Sequence, residues 1–361
     1  MFSSNFYVWG AGTYGARLIE FMKNELTFKG VIDNDQTKHP TLFHGLKVVS
    51  YAEAKSQMPD VKVVIAQVYP NVVRDFLLAE GFKEYTDFVS IYDFIPRYFW
   101  EKKRQVVPKV VNMAPSNFCN LKCKNCQSFM HLVKKPRVTP AEELISDIDL
   151  LYRHVDSVFL INLCLGESFL NMEISKFAKH LFTKYRGRYG NIVVLTNGTI
   201  IPNDDEMAAF SETDTIISIS DYSKEDSTIK KSLKSLICKC RQFGVKYYLN
   251  TSSNTDCWFD FGDPLMINET RAKELRRRFD KCFKPGCGLR DGKLYLCQIQ
   301  NILMAVTGDA ALDEGDYFDL SQSRTEASKE TLLKIISRTP DRGYIEHCKS
   351  CRGTSPINKK G

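Results

Sequence analysis

Short apolar runs alternate with segments of helical period along most of this chain, and that rhythm leaves few folds open. In the first hundred residues FYVWG, FKGVIDND and VKVVIAQ read as strands, separated by the helical patterns ARLIEFMKNE and VVRDFLLAEG. From Val111 the alternation resumes. VNMAP, VFLINLCL, NIVVLTN, TIISIS and VKYYLNTS read as strands, with TPAEELISDIDLLYRHV, ISKFAKHLFTKY, DDEMAAF and STIKKSLKSLICKCRQFG as helices between them. Strands that alternate with helices predict parallel sheets closed by crossover helices. The expected fold class is therefore α/β: a small parallel-sheet domain over 1–105, a wide parallel barrel or partial barrel over 106–258 and a cysteine-rich domain over 259–361. IYDFIPRYFWEKKRQVVP bridges the first two. Thr139, with Pro140 next and Glu142 three residues on, predicts a capping box at a helix start. In the less regular tail, ETRAKELRRRF and EASKETLLKIIS read as helices and RDGKLYLC as a hairpin.

The chain has 12 cysteines. No basic amino-terminal region leads into an apolar core, and no run is apolar for long enough to span a bilayer, so the expectation is a cytoplasmic protein without membrane contact. Thiols stay reduced there, and cysteines at short spacings are then metal ligands more often than disulfides. The net charge of +7 suits an anionic small substrate or a phosphorylated cofactor. Its lysines and arginines do not gather into one stripe, which speaks against nucleic acid.

The sharpest cysteine pattern is CNLKCKNC, which puts Cys119, Cys123 and Cys126 on one loop after the first strand of the second alternation. Three thiolates can hold three irons of a cubane and leave a fourth iron open to a ligand's amine and carboxylate. Soft thiolates select iron–sulfur or zinc, and zinc with His131 as a further ligand is the other reading. In the tail, Cys282, Gly292, Cys297, Cys348 and Cys351 form the pattern C-x9-G-x4-C, a gap, then CxxC. Four thiolates suit zinc or an iron–sulfur cluster, and Cys287 is able to replace one of them. Cys164, Cys238, Cys240 and Cys257 default to small buried residues.

GAGTYG carries Gly10, Gly12 and Gly15 at G-x-G-x-x-G spacing between a strand and a helix, and Asp33 ends the next strand. That context suits a diphosphate against the loop and a ribose on the acid. Only one mononucleotide-binding half is present, so packing or homodimerisation competes with nucleotide binding.

The CxxxCxxC loop after the first strand of an α/β barrel resembles the radical S-adenosylmethionine (AdoMet) enzymes. The resemblance implies a partial (β/α)6 barrel over 106–258, a [4Fe-4S] cluster on Cys119, Cys123 and Cys126, AdoMet on the open iron, and a 5′-deoxyadenosyl radical that takes hydrogen from the substrate. Asn125 stands where many members carry an aromatic residue. Leu165, Gly166, Glu167 and Ser168 resemble the stretch that binds the cofactor's amino group. Asn197 of LTNGT is a cofactor or supporting group. Ser218, Ser220 and Asp221 of SISDY resemble the position that touches ribose and carboxylate, with Asp221 as a catalytic candidate beside the cysteines. The tail resembles a twitch domain, the short form of SPASM, which implies a second [4Fe-4S] cluster on Cys282, Cys297, Cys348 and Cys351. The amino-terminal part resembles the Rossmann-like domain of surface-polysaccharide enzymes.

Together these imply an oxidoreductase that dehydrogenates or epimerises a sugar or nucleotide-sugar, with a flavodoxin or ferredoxin as electron donor. Dehydrogenation needs a base, for which Asp221, Tyr222 and the acids near Asp256 are positional candidates. Epimerisation needs a hydrogen-donating cysteine, for which Cys164 and Cys257 are candidates. The alternatives are a peptide-modifying maturase and a non-catalytic iron–sulfur or zinc scaffold or sensor.

Overall fold

The computed structural model describes residues 5–57, 61–123, 126–222, 227–250, 261–267, 270–282, 286–307 and 313–353. Asn125, Asp256 and Cys257, singled out above, lie outside the described residues. The chain separates into two compact units, Met1–Lys109 and Val110–Gly361.

The first unit is a six-stranded sheet. Its strands are β1 (Asn5–Trp9), β2 (Gly30–Ile32), β3 (Leu42–Phe43), β4 (Leu46–Val49), β5 (Val61–Ile65) and β6 (Phe88–Ser90), in the order β3-β4-β2-β1-β5-β6. All pairs are parallel except β3–β4. Helices α1 (Thr13–Met22), α2 (Tyr51–Lys55), α3 (Asn71–Ala79) and α4 (Ile91–Lys103) follow the strands. Val8, Ile32, Val63 and Val64 are all 0% exposed. A parallel sheet covered on both faces buries consecutive residues, so its strands read as unbroken apolar runs. The segment read as a bridge is helix α4. Ser90 caps it by accepting from Tyr92 N at 3.2 Å. Pro96 removes one helical hydrogen bond, but Ile91, Phe94, Ile95 and Phe99 bury their side chains from the same helix.

The second unit begins with five parallel strands in chain order: β7 (Val110–Met113), β8 (Val158–Leu163), β9 (Tyr189–Thr196), β10 (Ile216–Ser220) and β11 (Tyr247–Asn250). Helices α5 (Ala141–His154), α6 (Ile174–Tyr185), α7 (Asp204–Glu212) and α8 (Ser227–Phe243) connect them. A sixth parallel place, beside β7, is filled from the tail by β12 (Cys287–Arg290). The antiparallel strands β13 (Lys293–Tyr295) and β14 (Tyr317–Asp319) then complete an eight-stranded sheet. Segments 106–258 and 259–361 therefore share one sheet. The tail also carries α9 (Ala272–Lys281), α10 (Gln300–Thr307) and α11 (Glu326–Ile336).

The hairpin turns on Asp291 and Gly292, whose φ values of 51° and 70° are those a two-residue I′ turn requires. Asp147 of α5 accepts from both turn amides, at 3.0 and 2.7 Å.

One local expectation fails. Thr139 does not cap α5; its hydroxyl donates to Ala114 O at 2.9 Å, tying the helix entry to the end of β7. The first amide of the helix, Ala141 N, donates to Glu173 at 3.2 Å instead. A tertiary carboxylate has replaced the local one.

The faces of the sheet differ. Val111, Met113, Ile161, Leu163, Val194, Ile217 and Ile219 are each 0% exposed. Strand alternation puts Asn112, Asn162, Ser218 and Ser220 on the opposite face, where Asn112 pairs with Asn162 and Ser218 with Tyr248 in register. Among the described residues no helix is long and apolar enough to cross a membrane.

Candidate functional site

The CNLKCKNC loop leaves β7 at the carboxyl edge of the parallel strands, where open α/β folds carry their ligands. Its three cysteines are partly buried. They lie within Coulomb range of one another, and burial pushes the Cys119 thiol up and the Cys123 thiol up to about 11. Leu121 N and Asn197 Nδ2 donate to Cys119 Sγ, at 3.4 and 3.6 Å. The Tyr222 hydroxyl hydrogen-bonds Cys123. Burial, and then the three cysteines and Glu167 within Coulomb range of it, push the Tyr222 hydroxyl up.

Glu167 is 0% exposed. Its Oε1 accepts from Phe169 N (3.0 Å) and Thr196 Oγ1 (2.7 Å), and its Oε2 accepts from Asn197 N (2.7 Å). No Lys, Arg or His pairs with it among the described residues, and burial pushes its carboxyl up. The preceding Gly166 has φ +89°, and a Cβ there would lie 2.5 Å from Phe118 O and 2.7 Å from Ser116 O. Glycine is needed because this loop lies directly against the backbone leading into Cys119.

Asn197 links the loops further. Its Nδ2 donates to Asn120 Oδ1 at 2.9 Å, Asn120 Nδ2 donates to Thr199 Oγ1 at 2.7 Å, and Thr199 N donates back to Asn197 Oδ1 at 3.0 Å. Sequence reading missed Asn120, Thr196 and Thr199, and gave Tyr222 only as a positional candidate for the base. Asn120 carries a faint signal, since it immediately follows the first cysteine.

Ser218 and Ser220 share the polar face of β10, and Asp221, 8% exposed, donates its N–H to Asn250 O at 2.9 Å. Cys164 is buried, with its sulfur 3.5 Å from Asn112 Oδ1. On α8, Cys238 is exposed and Cys240 buried.

In the tail, Cys282, Cys297, Cys348 and Cys351 lie within mutual Coulomb range. Burial pushes the Cys297 thiol up to about 11, the Cys348 thiol up to about 12 and the Cys351 thiol higher still. Cys287 stands apart from that group. It sits inside β12, 4% exposed, and of the four other cysteines only Cys297 acts on it.

Among the described residues no three His, Cys, Asp or Glu side chains converge closely enough for a single metal ion. A four-iron cluster sets a different requirement, because each thiolate binds its own iron. Three thiols within Coulomb range of one another, with a carboxylate in range of Cys119, and four partly or fully buried thiols in one group, fit that requirement. Thiols that burial holds neutral become ligands when a metal charge offsets them.

The glycine loop of the first unit is occupied by its own fold. Gly15 is fixed by closeness: a Cβ there would lie 2.0 Å from Gly10 O. Gly12 faces open space. Gly10 N donates to Ile32 O at 2.8 Å. Asp33 accepts from Ala11 N (2.8 Å), Asp35 N (2.9 Å) and Lys38 Nζ (3.1 Å). Burial opposes its ionisation, but these donors outweigh that and hold the carboxyl below the ordinary range.

No protein-family profile and no curated relative matches the chain. Its matches are solved structures. BtrN in complex with AdoMet and 2-DOIA is 13% identical, over 68% of this chain and 94% of that one, with a TM-score of 0.43. Native anSMEcpe with bound AdoMet is 14% identical, over 66% of this chain and 83% of that one, also at 0.43. A polyhistidine-tagged form of anSMEcpe with bound AdoMet is 18% identical at a TM-score of 0.32; there the match covers 39% of this chain and spans only 42% of the other's length. At these scores the likenesses leave the function to be read from the chain's own residues.

Proposed function

We propose that this chain is a radical AdoMet oxidoreductase that dehydrogenates a sugar or nucleotide-sugar. The observation that carries the reading is the fully buried Glu167 carboxylate, without a cationic partner among the described residues, set within Coulomb range of Cys119. A buried charge without a counter-charge is costly. A cationic amine supplied by a ligand would offset it, and one of the roughly four lone-pair directions of the carboxylate remains open to it.

In this reading Cys119, Cys123 and Cys126 hold a [4Fe-4S] cluster, with AdoMet beside it on Glu167. When bound, the pair supplies a 5′-deoxyadenosyl radical able to take hydrogen from a carbon that carries a hydroxyl. The chain's residues do the positioning. Asn197 joins the cysteine loop to the end of β9 through Cys119 and Asn120. Tyr222 donates to Cys123. Ser218 and Ser220 would contact the ribose of bound AdoMet, and Asp221 would take the hydroxyl proton of the substrate. Cys282, Cys297, Cys348 and Cys351 would hold a second cluster, which would supply an electron-accepting centre, and a flavodoxin or ferredoxin would be the electron donor. The net charge of +7 supports an anionic substrate. The first unit serves packing in this reading, since Asp33 is already paired with Lys38.

The test is deuterium transfer. Anaerobically reconstituted protein, AdoMet and reductant are mixed with small-molecule fractions from deuterium-grown cells, and the mass of the 5′-deoxyadenosine is measured. Deuterium from the anionic sugar fraction supports the assignment. Unlabelled product from every small-molecule fraction, with label appearing only from peptides, overturns the substrate and favours a maturase.

A further inference from the structure

The four-cysteine group of the tail has arginine side chains in its surroundings. Arg338 follows α11 with φ +54°, the left-handed region that an L side chain adopts only when its surroundings hold it there. Its Nη1 donates to the carbonyl of Cys282 at 3.0 Å and its Nη2 to that of Phe279 at 3.5 Å. The guanidinium carbon lies 4.6 Å from the centre of the Phe279 ring. The buried Nε has no hydrogen-bond partner among the described residues. No carboxylate pairs with Arg338 among those residues, while Cys287, Cys297 and Cys348 all feel its charge. Arg278 acts from the other end of the group, donating to the carbonyls of Cys351 at 2.5 Å and Cys348 at 3.4 Å. Unlike Arg338, it has the carboxylate of Glu274 within Coulomb range.

An uncompensated guanidinium beside thiolates stabilises whichever state of a centre carries more negative charge. For a four-thiolate iron–sulfur centre that is the reduced state, and charge near the sulfurs is one of the terms that set its potential. We propose that Arg338 is a positioning residue that raises the reduction potential of this centre, making it the electron acceptor of the dehydrogenation. One electron passes from the hydroxyl-bearing carbon radical of the substrate to the oxidised centre. The hydroxyl proton goes to a base and the carbon becomes a carbonyl, so the substrate has lost two hydrogens in all. This rests on the iron–sulfur reading of Cys282, Cys297, Cys348 and Cys351, and the experiment separates the two.

The full chain carrying Cys119→Ala, Cys123→Ala and Cys126→Ala is reconstituted anaerobically with iron and sulfide, so that only the tail centre remains. Its iron content and midpoint potential, from a redox titration followed by electron paramagnetic resonance, are compared with Arg338→Gln and Arg338→Lys in the same background. The expected parent binds about four irons per chain. Arg338→Gln lowers the equilibrium constant for reduction about tenfold or more, a downward shift of about 59 mV or more for one electron, and Arg338→Lys stays near the parent. Equal potentials for Arg338→Gln and the parent would overturn the proposal. If Arg338→Gln takes up no iron, Arg338→Lys decides: an unchanged potential supports the role of the charge, and failure to load shows a structural role instead. A parent that holds zinc and no iron would refute the iron–sulfur reading itself.

Discussion

Two acids stand at the carboxyl ends of parallel strands, one in each unit, and their surroundings have opposite consequences. Asp33 closes the glycine loop, with two backbone amides and Lys38 holding it below the ordinary carboxylate range despite its burial. Glu167 closes the loop after β8, also with three donors, but burial leaves it above the ordinary range because no cation accompanies them among the described residues. The first acid is complete within its own fold. The second retains a need for positive charge, and it stands within Coulomb range of Cys119. Two motifs of similar strength in the sequence therefore differ in what they leave for a ligand.

The largest expected effects come from the glycines that bring each loop together. Gly166→Ala forces a Cβ onto two backbone oxygens at positive φ and should lower the unfolding free energy by roughly 2–5 kcal/mol. Gly15→Ala should act comparably on the first unit, through its overlap with Gly10 O. The comparison sharpens if Gly166→Ala also abolishes AdoMet binding while Gly15→Ala, at a temperature where both remain folded, retains it. Calorimetric melting with and without AdoMet reads both effects.

Glu167→Gln comes next. An amide in place of the carboxylate turns an N–H toward one of its three donors, costing about 1–3 kcal/mol. AdoMet should raise the melting temperature of the parent and leave that of the variant unchanged. An equal rise in both would break the contrast between the two acids.

The pH dependences of the two acids have opposite signs. Asp33 has a folded value below its unfolded one, so its contribution is present above about pH 3.9 and lost as pH falls through the folded value. Glu167 has a raised folded value, so its contribution is present below about pH 4.3 and lost as pH rises through that value. Asp33→Asn should flatten the acid limb of the stability curve and cost about 1 kcal/mol at neutral pH, with AdoMet cleavage unchanged. Loss of cleavage in Asp33→Asn would contradict its assignment to the fold alone. Tyr222→Phe should have the smallest effect: iron content holds and the cleavage rate falls by less than about tenfold, the weight of one hydrogen bond.

Much of the fold was legible because buried parallel strands show as apolar runs and their crossover helices as helical period. β2, β5, β8, β10 and β11 fall inside the segments read as strands, and β1, β7 and β9 overlap them, each starting one or two residues earlier. β3, β4 and β6 were missed, being two to four residues long and mixed in pattern. Pro96 hid α4. The pairing of β12 with β7 joins Cys287 to Val111, a match across the chain that no local period records. The candidate site divides the same way. Cysteine spacing pointed to Cys119, Cys123 and Cys126, and the family resemblance of the strand-end segments to Glu167 and Asn197. Tyr222, Asn120 and Thr196 reach the same place through side-chain contacts made only once the strands are aligned. Arg338 comes from a helix end in the tail and carries no motif.

The most direct measurement is AdoMet cleavage by anaerobically reconstituted protein under a strong reductant, with Cys119, Cys123 and Cys126 all replaced by alanine in the control. The account predicts 5′-deoxyadenosine and methionine from the parent, with none from the variant and a loss of about four irons per chain. Cleavage that persists in the variant, or a fully iron-loaded parent that never cleaves AdoMet, would contradict it.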